Sequence, residues 1–217
     1  ETARVLERLD AAGAIQIGTL NMSEFAYGAT GQNAFLGDAR NPWNTDYITG
    51  GSSSGPAAAV AGRIVFGALG SDTAGSVRLP ASICGLVGMK TTAGLVSRAG
   101  AMPLSHALDT VGPLTRTVAD NALLLSVIAG RDAHDPATAH HPVPDFPLHL
   151  SGGVRGMRIG IPAGYFDDDV SPEVSKSTAA AVAVFRGMGV HAVAIDMPDL
   201  DAINAAGFLL TWGDVMA

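Results

Sequence analysis

The sequence predicts an α/β fold, and three observations carry that expectation. Helical and strand-like hydrophobic patterns alternate along most of the 217 residues. Hydrophobic residues make up 47% of the chain and charged ones 15%, which suits a substantial buried core and not a solvated or disordered chain. The 27 glycines and the alanine-rich runs favour helices packed closely on a sheet.

The elements follow in order. Val5, Leu6 and Leu9 share one face of a helix over residues 2–12, Gly13 can close it, and Ala14 to Leu20 reads as a short buried strand. From Asn21 to Ser54 the chain is rich in Gly, Asn, Thr and Ser without a period. That is too long for a mere connector, so it reads as a functional loop. Pro56 suits the first position of an alanine-rich helix, and Ile64 to Leu69 reads as the next buried strand. A second turn region covers Gly70 to Ser76, Pro80 starts a short helix, and Leu86 to Met89 forms another strand. Thr117 caps a helix over Val118 to Ala129, which ends at Gly130.

Arg131 to Gly153 holds several prolines and four of the six histidines with no period, and reads as a surface excursion at the edge of a subdomain. Beyond it, Met157 to Ile161 is a strand. Ser171 caps a helix with Pro172 in its first turn running through Arg186, His191 to Ile195 is a strand, and a last helix starts near Leu200. No internal repeat is present.

Several function classes are disfavoured. A net charge of -7 with a pI near 5.2 offers no basic face for phosphate backbones, so direct nucleic-acid binding is not expected. No apolar run approaches the roughly 20 residues needed to cross a bilayer, so no membrane segment is expected. The single cysteine, Cys84, allows no intrachain disulfide. With no leader-like start, it points to the reducing cytoplasm, and the apolar setting Ile83 to Val87 makes Cys84 a packing residue. The sequence has no HxxxH and no cysteine pair, and His140-His141 reads as solvated, so no metal and no cofactor are expected.

Two turns carry the chemistry. Gly50-Gly51-Ser52-Ser53-Ser54-Gly55 places three hydroxyls beside glycines, directly before a helix whose N-terminal N–H groups attract negative charge. The segment also fits GxSxG centred on Ser53. A nucleophile elbow, however, follows a buried strand, whereas Asp46-Tyr47-Ile48-Thr49 precedes it here. A phosphate loop would need a lysine after the glycines, and none follows. A flexible turn is the plainer reading of this cluster alone. The second turn, Gly70 to Pro80, presents Ser76 after Asp72-Thr73-Ala74-Gly75, where successive N–H groups can converge on an oxyanion. Two such turns at the carboxyl edge of one sheet would bring Ser52 and Ser76 together.

These two segments together resemble the amidase signature family. Gly50 to Gly55 with its following helix is similar to that family's glycine- and serine-rich stretch, and Gly70 to Pro80 to its nucleophile segment. The similarity extends upstream through Asn21-Met22-Ser23-Glu24-Phe25-Ala26 and Arg40-Asn41-Pro42-Trp43. Downstream it runs through Cys84 to Thr91, Pro103-Leu104-Ser105, Leu108 to Pro113 and Arg116 to Asp120. It is strong over residues 2–130, whereas 151–217 reads as a less specific αβ continuation.

The resemblance implies a mixed, mostly parallel central sheet flanked by helices, present here as a partial domain over 1–217. It implies hydrolysis of an amide carbon–nitrogen bond through a seryl acyl-enzyme, with a Ser, cis-Ser, Lys triad. Ser76 is then the nucleophile and Ser52, 24 residues before it, the cis-serine. The N–H groups of Thr73, Ala74, Gly75 and Ser76 form the oxyanion hole; Ala74 stands where glycine is commoner. Gly51, Ser53, Asp72 and Arg78 brace the loops, and Phe25 and Ala26 line the acyl pocket. His106 and Asp109 fall in a family loop without a triad role.

The triad's lysine is missing. Lys90 matches a family lysine that is not the catalytic one, and Lys176 lies on a later helix. The family's catalytic lysine precedes the helix that opens this chain, so the sequence reads as an inactive fragment lacking that lysine and a large C-terminal part. The implied partners are a small amide substrate and either a second copy of the chain or the companion subunits of a tRNA-dependent amidotransferase. Three enzymatic readings share the motifs: a free-standing amidase, the glutaminase component of a tRNA-dependent amidotransferase, which releases ammonia from glutamine, and an allophanate-hydrolase-like enzyme. A non-catalytic remnant serving as a binding module is the reading from another class.

Overall fold

The computed structural model describes residues 2–140, 142–162 and 164–216. The chain divides into two compact units, Glu1–His149 with Leu210–Ala217, and Leu150–Leu209.

The first unit contains α1 (Arg4–Ala11), α2 (Ser54–Ala61), β1 (Gly67–Asp72), α3 (Arg78–Ile83), β2 (Val87–Gly88), β3 (Thr110–Thr115), α4 (Val118–Ile128) and the short α5 (Phe146–His149). Its sheet has the order β1-β3-β2, and β3 is antiparallel to both neighbours. β1 and β2 therefore run in the same direction, joined by α3, as the alternation of patterns implies. β3 slots between them and makes both ladders antiparallel. Parallel pairing, expected to dominate, is confined among the described residues to β4 (Arg158–Pro162) and β5 (His191–Ile195) of the second unit. There α6 (Pro172–Gly187) provides the crossover, and α7 (Leu200–Met216) follows, its residues from Leu210 onward belonging to the first unit.

The side-chain alternation of β3 explains the layers. Val111 and Leu114 point to opposite faces because they are an odd number of residues apart. Val111 packs with Val5, Val96, Leu125, Ile128 and Ala129, so α1 and α4 cover one face. Leu114 packs with Ala57, Val77, Ala81 and Cys84, so α2 and α3 cover the other. All six residues of β3 are buried, as a central strand covered on both faces requires. Cys84 is the packing residue its apolar setting predicts.

Local signals place most helix ends. The Thr117 hydroxyl accepts the Asp120 N–H at 3.1 Å and caps α4, and Ser171 caps α6 with Pro172 as its first residue. α2 starts two residues before the expected Pro56, at Ser54.

Three expectations are corrected. Ala14 to Leu20 joins no ladder among the described residues and is exposed, with Ile15 at 88%. A strand is buried only against a neighbour, which its own apolar pattern cannot provide. The strand expected over Ile64 to Leu69 runs instead over Gly67–Asp72, after Arg63 turns the chain at φ 60°. The stretch 131–153 is not simply a surface excursion. Asp132 and Asp135 are buried, the first accepting the Ser97 hydroxyl at 2.6 Å and the second the Arg98 N–H at 2.8 Å. Of the histidine pair there, His140 is exposed and His141 lies outside the described residues. Among the described residues no helix is long and apolar enough to cross a membrane.

Leu114 is fully buried between the sheet and α2 and α3. Leu114→Ala is expected to lower the unfolding free energy by about 2–5 kcal/mol, measured by equilibrium urea denaturation. A change under about 0.5 kcal/mol would contradict this core assignment.

Candidate functional site

β1 ends at Asp72, whose side chain is wholly inaccessible to solvent. A buried carboxylate persists only if its lone pairs are taken up, and five donors do so here. The backbone N–H groups of Gly75, Val77 and Arg78 reach its oxygens at 2.8, 3.2 and 3.3 Å, and Arg78 adds Nε and Nη2 at 3.0 Å each. This cluster wraps residues 73–78 around one side chain and sets the start of α3. Burial by itself would raise the Asp72 pKa. The Arg78 hydrogen bond and charge, with the Val77 and Gly75 N–H groups, outweigh it and hold the carboxyl below its ordinary range.

The turn so formed carries Ser76, which is half-buried. Gly75 has a φ of 136°, a conformation that favours glycine. The Gly75 N–H, expected to face an oxyanion, is held by Asp72. Among the described residues the N–H groups of Ala74 and Ser76 have no protein acceptor, and Ala74 is exposed.

The serine loop docks directly on this turn. The Ser53 N–H donates to the Ser76 carbonyl at 3.0 Å and the Ser53 hydroxyl to the Ser71 carbonyl at 3.3 Å. Gly70 makes this approach feasible, since a Cβ there would collide with the Ser53 side chain. The Gly51–Ser52 peptide bond is cis. Ser52 is fully buried, its carbonyl accepts the Ser23 N–H at 3.1 Å, and its Oγ has no hydrogen-bond partner among the described residues. Ser54 Oγ is buried and without a partner as well.

Phe25 and Ala26 lie on a 3-10 turn, Glu24–Ala26, just beyond the Ser23 that grips the serine loop. Both have positive φ, 52° and 60°, and Phe25 is 72% exposed.

Lys90 and Asp109 have site contacts that sequence reasoning did not assign. Lys90 Nζ donates to the Asp72 carbonyl at 2.9 Å, the Leu108 carbonyl at 3.0 Å and Thr110 Oγ1 at 3.1 Å, and burial lowers its pKa. The Asp109 carboxylate receives the Thr73 hydroxyl and the N–H groups of Leu104 and Ser105. His106 is exposed, and its carbonyl accepts Arg98. Sequence spacing hints at neither role, because both depend on which strand lies beside β1.

A serine-bearing turn and a buried serine loop locked together at the end of one strand define the kind of site, and comparison with known proteins gives the family. The chain belongs to the Amidase family, whose model matches residues 1–217. The glutamyl-tRNA(Gln) amidotransferase A-subunit of Geobacter metallireducens is 44% identical over 203 residues, covering 94% of this chain and 42% of that protein. The crystal structure of the corresponding A-subunit from Thermotoga maritima superposes with a TM-score of 0.96 at 37% identity, over 100% of this chain and 48% of that one. Native peptide amidase from Stenotrophomonas maltophilia gives 0.87 at 39% identity, over 97% and 45%. The chain spans under half the length of these relatives.

The lowered pKa of Asp72 sets a pH dependence. A group whose folded pKa is depressed contributes stability above its unfolded pKa, near 3.9, and loses it as pH falls through the folded value. Asp72→Asn should therefore be less stable than the parent at pH 7, with the gap closing below about pH 4. Urea midpoints between pH 2 and 7 measure it, and a gap that does not change with pH would refute the ionised, Arg78-paired carboxylate.

Proposed function

We propose that the protein hydrolyses an amide bond through a seryl acyl-enzyme, with Ser76 as nucleophile and Ser52 as the hydroxyl that relays its proton. The observation that carries the reading is the buried Ser52 Oγ. It lacks a partner among the described residues, and it sits on the loop whose next N–H grips the Ser76 carbonyl. A buried hydroxyl without a partner costs free energy, so its persistence at this point fits a group waiting for one.

In this mechanism Ser76 Oγ attacks the amide carbonyl carbon as its proton passes to Ser52 Oγ, and the Ser52 proton passes to a base. The carbonyl oxygen becomes an oxyanion held by the unengaged N–H groups of the turn, Ala74 and Ser76 with Thr73 beside them, whereas the Gly75 N–H, expected among these donors, is given to Asp72. One such donor is worth about 2.7–4 kcal/mol in the transition state. Collapse breaks the C–N bond, the amine leaves with a proton returned through Ser52, and water attacks the acyl-serine by the same route. The base in this reading is a neutral lysine. Lys90 does not serve, because its three N–H bonds go to three oxygens and it has no lone pair to offer.

Ser53, Asp72, Arg78 and Gly51 support these loops, and Phe25 and Ala26 border the acyl side. The substrate is a small amide, with the companion either a second copy or, in the second reading, amidotransferase subunits. The identity to the glutamyl-tRNA(Gln) amidotransferase relatives favours that second reading, in which the amide is that of glutamine and the released ammonia is passed on. The site chemistry is the same in both.

The test uses the full-length protein. A serine-reactive fluorophosphonate should label Ser76, located by peptide mass spectrometry, and Ser76→Ala should lower amide turnover by about 10³-fold or more. Undiminished turnover in that variant, or a label on another serine, would refute the nucleophile assignment. Ammonia release from glutamine with the companion subunits present, and none without them, would select the amidotransferase reading.

A further inference from the structure

We propose that Asp109 is a positioning residue for the Ser76 turn, holding Thr73 by its hydroxyl so that the N–H groups after it stay aimed at the developing oxyanion. This rests on the amidase reading above.

The argument begins with register. β1 and β3 pair antiparallel as far as Asp72 opposite Thr110, so Thr73 and Asp109 are the next pair across the strands, one step past the last rung. In place of a further backbone rung they make a side-chain bond, the Thr73 hydroxyl donating to Asp109 Oδ1. Thr73 is only 8% exposed, and its one hydroxyl proton is committed to this bond.

Asp109 is itself fixed. Its other oxygen accepts the N–H groups of Leu104 and Ser105 at 2.7 and 2.9 Å, and its own N–H donates to the Ser105 carbonyl at 3.1 Å. On either side, Lys90 Nζ holds the Leu108 carbonyl and Thr110 Oγ1. The carboxylate is thus a rigid post carried by β3, and the bond to Thr73 transfers that rigidity to the catalytic turn. Asp72 pins the same turn from inside through the N–H groups of Gly75, Val77 and Arg78, none of which fixes residue 73. The Asp72 carbonyl, held by Lys90 Nζ at 2.9 Å and Thr110 Oγ1 at 3.2 Å, fixes the peptide plane that carries the Thr73 N–H, so without the Thr73 bond the chain could turn only beyond that plane. The Ala74 N–H would then leave the place where charge develops, while Ser76 and the acyl pocket remained in position. The loss would fall on the chemical step and leave binding nearly intact.

The experiment measures phosphonylation of Ser76 in the full-length protein by a fluorophosphonate–rhodamine probe, with the maximal rate separated from the probe's binding constant. Thr73→Val keeps the β-branched shape and removes the hydroxyl. It should lower the maximal rate about 10- to 100-fold, short of the roughly 10²–10³ typical when a donor is lost outright, with the binding constant changed less than about twofold. Thr73→Ser should restore the rate. Combining Thr73→Val with Asp109→Asn should cost no more than the worse single change, because both break one bond.

A wild-type maximal rate in Thr73→Val, an equal loss in Thr73→Ser, or effects of the two changes that multiply would each overturn the proposal. Thermal melts accompany each variant. If Thr73→Val does not fold, Asp109→Asn in the wild-type and Thr73→Ser backgrounds is read by the same criteria. Labelling at Ser76 with an unaffected rate sinks only the positioning role, whereas no label at Ser76 in the parent protein sinks the amidase reading with it.

Discussion

The site depends on one buried carboxylate. Asp72 closes β1 in a place with no access to water, and an uncompensated charge there would cost several kcal/mol. The chain after it is bent until three backbone N–H groups and the Arg78 guanidinium point inward. That bend puts Ser76 at the strand end and starts α3 at Arg78. Removing the carboxylate would leave those donors without acceptors, so the conformation of the turn and the ionisation of Asp72 are a single property.

The serine loop depends on this turn in the same way. Ser53 spans the two, its N–H on the Ser76 carbonyl and its hydroxyl on the Ser71 carbonyl, and Gly70 leaves room for it. On its other side the loop is held by the start of the long glycine- and serine-rich stretch, where the Ser23 N–H donates to the Ser52 carbonyl and the Asn21 carbonyl accepts the Gly55 N–H. The result is a hydroxyl, Ser52 Oγ, buried and, like that of Ser54, without a partner among the described residues.

The parts of this arrangement written in local chemistry were legible in the sequence. Thr117 and Ser171 announced the starts of two helices and glycine and serine spacing marked the two turns, whereas the bracing roles of Asp72 and Arg78 came from the family resemblance and not from local spacing. The parts that rest on distant pairing were not. Nothing near Gly67–Asp72 indicates that residues 110–115 will lie beside it, so the insertion of β3 between two like-directed strands was hidden, and with it the roles of Asp109 and Lys90. Ala14 to Leu20 misled for the converse reason: its apolar content fits a strand, but whether it is covered depends on what packs on it. The commitment of the Gly75 N–H to Asp72 could be read only from coordinates, since a glycine turn offers its donors to either side.

The central claim is that Ser52 stands between Ser76 and a base, and a crystal structure of the full-length protein with a phosphonate bound covalently tests it most directly. The account predicts the adduct on Ser76 Oγ, a phosphoryl oxygen within about 3 Å of N–H groups from the 73–76 turn, and Ser52 Oγ hydrogen-bonded to both Ser76 and a lysine ammonium. An adduct on another residue, or a Ser52 hydroxyl still without a partner in that complex, would contradict it.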